Sequence, residues 1–518
     1  MNLSDFFEHW QIADNPFQGE EARHDAVFAR MARLDGSADA PTRGGTTHSD
    51  FEKILGSIER PSTAVVFGEK GSGKTAIRLQ IADRVRRNNL TKGDGKVYLV
   101  SYDDLNSMLD QLHEHHGGKK PIDSFKKIRL VDHLDAMLAS GTTRLVDAVL
   151  NEGDAASGRE FGTDPGKMLR KADRSTKRDA MLLQVVYDGA DNAADRTARF
   201  RKTIGLPPPP SAIGWAIGVW AGWVPAVAFA VWAATSQSPD SNGVPTWQLW
   251  TLGVLLGLYA IVLAKKFLWD RLLLARLGGK LKHQLRALKR PGSSYAVSTA
   301  YLAPLDRSPA VLPITDSDEQ RYAMLDKLRR TVKLFGFTGI LILIDRLDEP
   351  TLVNGEAERM RAIVWPMFNN KFLQQEDVGI KMLLPVELRH ALFKESAEFF
   401  QEARLDKQHL VERLTWTGAM LYDLCDARLR ACRPHADAEL TLLDLFAEDV
   451  TRQDLIDALD QMHQPRDAFK MLYACLSEHC SNVTREQAEW RIPRLTLDAV
   501  RKQESDRVQQ LYRGIRPA

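Results

Sequence analysis

Apolar residues along this chain cluster on two length scales. The short runs are Ser62–Phe67 (STAVVF), Val97–Tyr102 (VYLVSY), Ile340–Ile344 (ILILI) and Val378–Leu384 (VGIKMLL). Five to seven residues long and rich in β-branched or aliphatic side chains, they predict buried strands. Helical spacing follows the first: Ile77, Ile81 and Val85 recur every fourth residue. Residues 49–58 also carry a helical pattern. Residues 103–200 read as mostly helical, with turn-rich breaks near 117–121 and 152–166, and 35–47 reads as a flexible loop. No repeat of 20–50 residues is visible. Alternating strands and helices predict an α/β fold with a parallel sheet.

The long runs are of another kind. Ala212–Ala234 is 23 residues without a charge, and Trp247–Ala264 adds 18 more. At 1.5 Å per residue they extend roughly 35 Å and 27 Å, enough to cross a hydrocarbon core of about 30 Å. A pair of buried core helices is the alternative. The flanks set an orientation. Arg196, Arg199, Arg201 and Lys202 precede the first run, and nine Lys/Arg against one acid occupy 265–290. The connecting loop, 235–246, has no Lys or Arg. The positive-inside rule puts both termini in the cytoplasm and the loop outside, as in a bacterial inner membrane. Pro207–Pro210 is a stiff spacer. Gly214, Gly218 and Gly222, with Gly253 and Gly257, allow close helix approach, within the hairpin or between protomers. Neither run holds an ionisable residue, which speaks against a transport path. Leucines at 274, 277, 281, 285 and 288 then form a stripe beside the basic residues. It fits an interfacial helix attracted to anionic lipid or a helix packed on the soluble part.

Composition hides this pattern. The chain has 518 residues, 70 Lys+Arg against 68 Asp+Glu, and a mean hydropathy of −0.30. The length suits several domains; the average excludes a polytopic carrier. A net charge of +2 gives no nucleic-acid signature, and four Cys exclude a disulfide scaffold. The acidic N-terminus has no secretory pattern; Phe6, Phe7, Trp10, Ile12 and Phe17 predict a segment packed on the main domain. His113–His116 (HEHH) lacks a metal-ligand spacing and reads as a solvated loop, and the four cysteines read as buried thiols on helices.

Gly68-Glu69-Lys70-Gly71-Ser72-Gly73-Lys74-Thr75 matches G-x-x-x-x-G-K-[ST], with a strand before it and a helix after. Such glycines let backbone N–H groups face phosphate oxygens, aided by the helix N-terminus. Lys74 is expected on the β- and γ-phosphates and Thr75 on Mg²⁺. The partner acid is Asp345, closing the strand ILILI, with Asp348 or Glu349 as the base that polarises water. Glu387 or Arg389 is placed to sense a γ-phosphate, Arg466 to reach the phosphates from a lid, and Arg413 to act across a subunit interface. No N-K-x-D signature occurs, which points to ATP rather than GTP. Lys74 and Asp345 must meet one Mg·ATP, so the spans between them must be even in number.

These residues resemble the KAP family, membrane-associated P-loop ATPases of the STAND class. The likeness covers Gly68–Thr75, the hairpin 212–264 and ILILIDRLDE at 340–349. In that family a second Asp usually follows the first; here it is Arg346, and the D-x-L-D-E order resembles NACHT-type ATPases. Residues 414–431, 464–479 and 495–503 resemble the lid of origin-recognition AAA+ ATPases, without room for a winged-helix module. The resemblance implies an ASCE-type P-loop core with a helical lid. It also implies ATP-driven switching or remodelling in bacterial defence or signalling, and a homo-oligomer with an unidentified protein partner. The expected division is an N-terminal segment (1–60), a core first half with a helical insert (61–206) and a membrane hairpin (207–268). A basic juxtamembrane helix and linker (269–330), the core second half (331–410) and the lid (411–518) follow.

Overall fold

The computed structural model describes residues 1–18, 21–32, 47–153, 158–208, 210–236, 245–433, 440–484 and 486–512. Most of the loops expected at 35–47 and 235–246 lie outside them. The chain forms two compact units, one from 1–105 with 339–518, the other from 106–338.

The first unit is α/β. Its strands are β1 (Ala64–Gly68), β2 (Lys96–Tyr102), β3 (Phe337–Ile344), β4 (Val378–Pro385) and β5 (His409–Val411). They form one parallel sheet in the order β2-β3-β4-β1-β5. β1 and β4 are buried along their whole length, as near-continuous apolar runs in a parallel sheet require. Val65 pairs with Met382 and Ile342 with Ile380. The helix Lys74–Thr91 covers the sheet with Ile77, Ile81 and Val85. All four strands expected from sequence are present within three residues of their expected ends, the largest difference being β3, which begins at Phe337 rather than Ile340. β5, only three residues long, was not anticipated.

C-terminal to the sheet, helices Gly418–Ala431, Arg452–Asp460, Pro465–Asn482 and Arg494–Tyr512 build a second core. Leu421, Cys425, Leu455, Met471, Leu472 and Cys475 lie in it. The N-terminal segment packs here rather than on the sheet: Phe6, Ile12 and Phe17 join this cluster. All four cysteines are buried and free.

The second unit is helical. Residues 106–204, expected as an insert in the first half of the core, group instead with the chain that follows the hairpin. Buried ion pairs knit it together. Arg321 bonds Asp135 at 3.1 Å, and Tyr187 donates to the same carboxylate at 2.8 Å. Burial of Asp135 outweighs these partners and pushes its carboxyl up to about 6. Arg286 holds Asp132 at 2.6 Å, and Arg290 donates to the Val185 carbonyl at 2.8 Å. Two members of the expected lipid-facing basic run therefore point inward. Leu281 and Leu285 of the stripe are buried as well, so this end of the helix packs on protein. At Gly278, an added Cβ would sit 2.3 Å from the Gly292 carbonyl oxygen, which explains the residue at that crossing. His113–His116 lie on a helix, not a loop; His113 bonds Ser124, and His115 meets the ring of His283.

Two helices are long and apolar enough to cross a membrane, Ile213–Thr235 and Thr246–Gln284. Their apolar windows are only 11% and 0% buried, so they are not core helices of this chain. The first breaks into Pro210–Ala221 and Val224–Thr235, with Pro225 opening its second half. The second runs past Ala264 through a π-turn at Lys265–Trp269. Gly218 and Gly222 face Val262 and Tyr259 of the other helix, and Tyr259 donates to the Val219 carbonyl at 3.1 Å. These glycines close the hairpin on itself. Nothing approaches Gly253 or Gly257 within 4 Å.

Candidate functional site

Gly68–Gly73 leaves the C-terminal end of β1 as a tight loop and turns into the helix starting at Lys74. Gly71 and Gly73 adopt φ of 95° and 91°, where a side chain is strained. A Cβ on Gly71 would also sit 2.9 Å from Arg466 Cβ, so the helix Pro465–Asn482 presses its first turn onto the loop. The Lys74 ammonium lies inside the loop and donates to the carbonyls of Gly68 and Glu69 at 2.8 and 2.9 Å. Burial pushes its pKa down, opposed by Asp348, Asp345 and Glu387, while Arg466 adds to the lowering.

β3 ends at Ile344, and Asp345 sits two strand positions from the loop, with only β4 between β3 and β1. At about 4.8 Å per strand, roughly 10 Å separates the two strand ends. Asp345 is 1% exposed. Thr75 hydrogen-bonds its carboxyl, and Arg78 Nε lies 3.4 Å from Oδ2, which makes no hydrogen bond among the described residues. Burial raises its pKa, against Arg78 first and then Thr75 and Lys74. Arg78 is itself tied to Asp103 at 2.9 Å. A buried carboxylate oxygen lacking a donor, beside a threonine hydroxyl, is the donor set a hard cation takes. Among the described residues no cluster of three or more His, Cys, Asp or Glu forms a metal cage. Mg²⁺, which is completed by phosphate and water oxygens, does not need one.

The turn after Asp345 separates the two candidate bases. Arg346 stands at φ 63° and pairs with Glu349, an exposed residue. Asp348 is half-buried and carries the largest charge interaction with Lys74. Both line the same cavity of about 570 Å³, together with Lys74, Thr75, Asp345 and Arg466. Glu387 is also on its wall; Arg389 is instead paired with Glu412 at 2.7 Å. Arg413 and Gln464 both hold Glu69, the second residue of the loop. Arg413 is thus bound within its own chain. Lys70 is exposed at the mouth, and Ser72 is buried, its carbonyl accepting from Trp416 Nε1 at 2.9 Å.

Sequence reading missed the far wall. Phe28 and Met31 of the N-terminal segment, His48, Trp416 and Phe469 make an apolar and aromatic chamber next to the glycine loop. Arg428 fastens it: buried, it pairs with Asp25 at 2.7 Å, donates to the Pro16 carbonyl at 2.6 Å and lies 4.5 Å from the Phe469 ring. His48 accepts from Asp50 N–H at 3.0 Å and meets Trp416 edge to face; its burial lowers its pKa. The signal was present as aromatic residues in an otherwise polar N-terminus, but only folding shows where they land. Comparison with protein-family models, with curated proteins and with solved structures finds no match.

Proposed function

We infer that the protein is a membrane-anchored P-loop ATPase of the AAA+/STAND type that binds Mg·ATP and couples it to a conformational or assembly switch. One observation carries this reading: a single cavity at the C-terminal edge of a parallel sheet gathers Lys74, Thr75, Asp345, Asp348 and Arg466 from distant parts of the chain. Ligands of open α/β sheets bind at that edge. The ASCE reading calls for one strand between the phosphate loop and the metal acid, and β4 occupies that position.

In this reading the loop amides and Lys74 bind the β- and γ-phosphates. Thr75 and Asp345 would hold Mg²⁺, which supplies charge neutralisation on the phosphates when bound. Asp348 orients the attacking water, and Arg466 brings the lid onto the phosphates. The aromatic chamber receives the base. The two exposed apolar helices anchor the chain in the inner membrane with both termini cytoplasmic, and the AAA+ likeness favours a homo-oligomer. A role in bacterial antiviral defence or signalling rests on the KAP resemblance alone. A second reading, a nucleotide-gated scaffold with little turnover, is favoured by the Arg346–Glu349 pair, which keeps one acid away from water activation.

Purified full-length protein in nanodiscs tests both. ATP turnover equal in wild type and Lys74→Ala sinks the ATPase reading. Nucleotide binding that is tight while turnover stays at background in wild type selects the scaffold.

A further inference from the structure

The second unit holds a pocket of about 370 Å³ unrelated to the nucleotide cavity. Arg174, Arg178, Arg201, Tyr301, Pro207 and Leu305 line it, with Asp306 as its single acid. Arg201 builds the pocket floor. It donates to the carbonyls of Leu206, Pro207 and Tyr301 at 3.2, 2.8 and 3.1 Å and lies 5.8 Å from the Tyr301 ring. This ties the segment just before the first apolar helix to Tyr301, three residues before the turn Pro304–Arg307. Arg178 grips Asp306 at 2.6 Å. Arg174 is exposed and, among the described residues, has no ion pair or hydrogen bond.

Position makes this pocket specific. Pro207 lies six residues before Ile213, where the first apolar helix begins its membrane-length stretch. On the other side, Arg307 of the turn Pro304–Arg307 is within electrostatic reach of Asp270, six residues past the end of the second apolar run at Ala264. Trp269 and Leu272 beside it are 64% and 54% exposed. Pro207 on the pocket wall thus leads into the first apolar helix, and Arg307, next to Asp306, faces the second. Leu305 lines the pocket and is 78% exposed, so its side chain is open to solvent or to a ligand's apolar part.

We propose that this pocket binds the phosphate headgroup of an anionic phospholipid of the cytoplasmic leaflet, with Arg174 and Arg178 on the phosphate and Leu305 against the acyl chains. The three arginines against one acid leave an excess of two positive charges, complementary to a phosphodiester. This is a discrete site, separate from the general attraction of the basic stretch 265–290. It rests on the membrane reading of the two helices and is independent of the ATPase reading.

The test uses full-length protein in zwitterionic detergent, titrated with short-chain phosphatidylglycerol, short-chain phosphatidylcholine and inorganic phosphate. Saturable binding of about one phosphatidylglycerol per chain is expected, with no comparable binding of phosphatidylcholine. A well-placed exposed ion pair contributes about fivefold, so Arg174→Ala weakens binding about fivefold and Arg174→Ala with Arg178→Ala further still. Leu305→Ser weakens the lipid, while Lys280→Ala with Lys282→Ala leaves it unchanged. Arg174→Ala removes no hydrogen bond or ion pair among the described residues and keeps the test valid should the double variant fail to fold. Unchanged affinity in Arg174→Ala overturns the proposal, as does inorganic phosphate competing at the lipid's own concentration. Release of the wild-type chain from membranes by alkaline carbonate would refute the membrane reading instead.

Discussion

Replacing Asp345 by Asn tests the proposed metal contact separately from the rest of the proposed nucleotide site. The carboxyl is buried, its Oδ2 has no hydrogen bond, and Arg78 beside it keeps a second partner in Asp103. The isosteric change thus removes a charge without opening a cavity, and the melting temperature of the ligand-free protein is expected to stay within about 2 °C. Ligand present at 100 times its dissociation constant stabilises a fold by about 2.7 kcal/mol. For the first unit, about 285 residues, an unfolding entropy of about 0.6 kcal/mol/K converts this to a rise of 4–5 °C. Loss of a metal contact that weakens Mg·ATP about 100-fold leaves about 0.4 kcal/mol, a rise below about 1 °C at the same concentration. Differential scanning fluorimetry with ATP, in Mg²⁺ or in EDTA, reads the difference. The wild-type shift should depend on Mg²⁺ and that of Asp345→Asn should not. An Mg²⁺-dependent shift of full size in the variant refutes the assignment of Asp345.

Gly71→Ala combines a positive φ with a 2.9 Å approach to Arg466; isothermal titration should show ATP affinity reduced at least tenfold, with helical content by circular dichroism intact. Asp135 should make the second unit pH-sensitive. Its folded pKa, about 6, exceeds the unfolded value near 4, so the stability it contributes is present below about pH 4 and is lost as pH rises towards 6. Denaturant titrations of Asp135→Asn should lack that fall, worth about 3 kcal/mol; an identical pH profile in wild type and variant counts against it. The four native cysteines are buried, so a new surface thiol is read against a quiet background. Ser236→Cys should react with a membrane-impermeant maleimide added outside intact cells and Arg276→Cys should not; the reverse pattern rejects the orientation.

The glycine loop, Asp345 and the four long strands were legible because each is a local signal: an apolar run that ends where the chemistry begins. β5 was not, since three residues, His409–Val411, carry no periodicity. The basic stretch 265–290 was half legible. Counting charges could not reveal that Arg286 and Arg290 turn inward to Asp132 and Val185, because their partners lie more than a hundred residues away. The same holds for Arg413, whose partner Glu69 is set by the fold. The aromatic chamber depends on the N-terminal segment reaching helices near the C-terminus through Arg428 and Asp25, a contact no sequence window contains. Arg346, whose pairing with Glu349 sets the two acids apart, was in view in the sequence, but its φ and partner were not.

β2 and β3 lie side by side in the sheet, yet the chain leaves at Tyr102 and returns only at Phe337. A ribosome making this protein therefore finishes β1, the glycine loop and β2 long before their partners exist. With both apolar helices inserted as proposed, the sheet closes only after the hairpin has been handed to the membrane and the helical unit has emerged. Until then β1 lacks both its neighbours, β4 and β5, and is exposed to aggregation and proteolysis. On the proposed membrane reading, chain order places synthesis of the hairpin before completion of the sheet that carries the glycine loop.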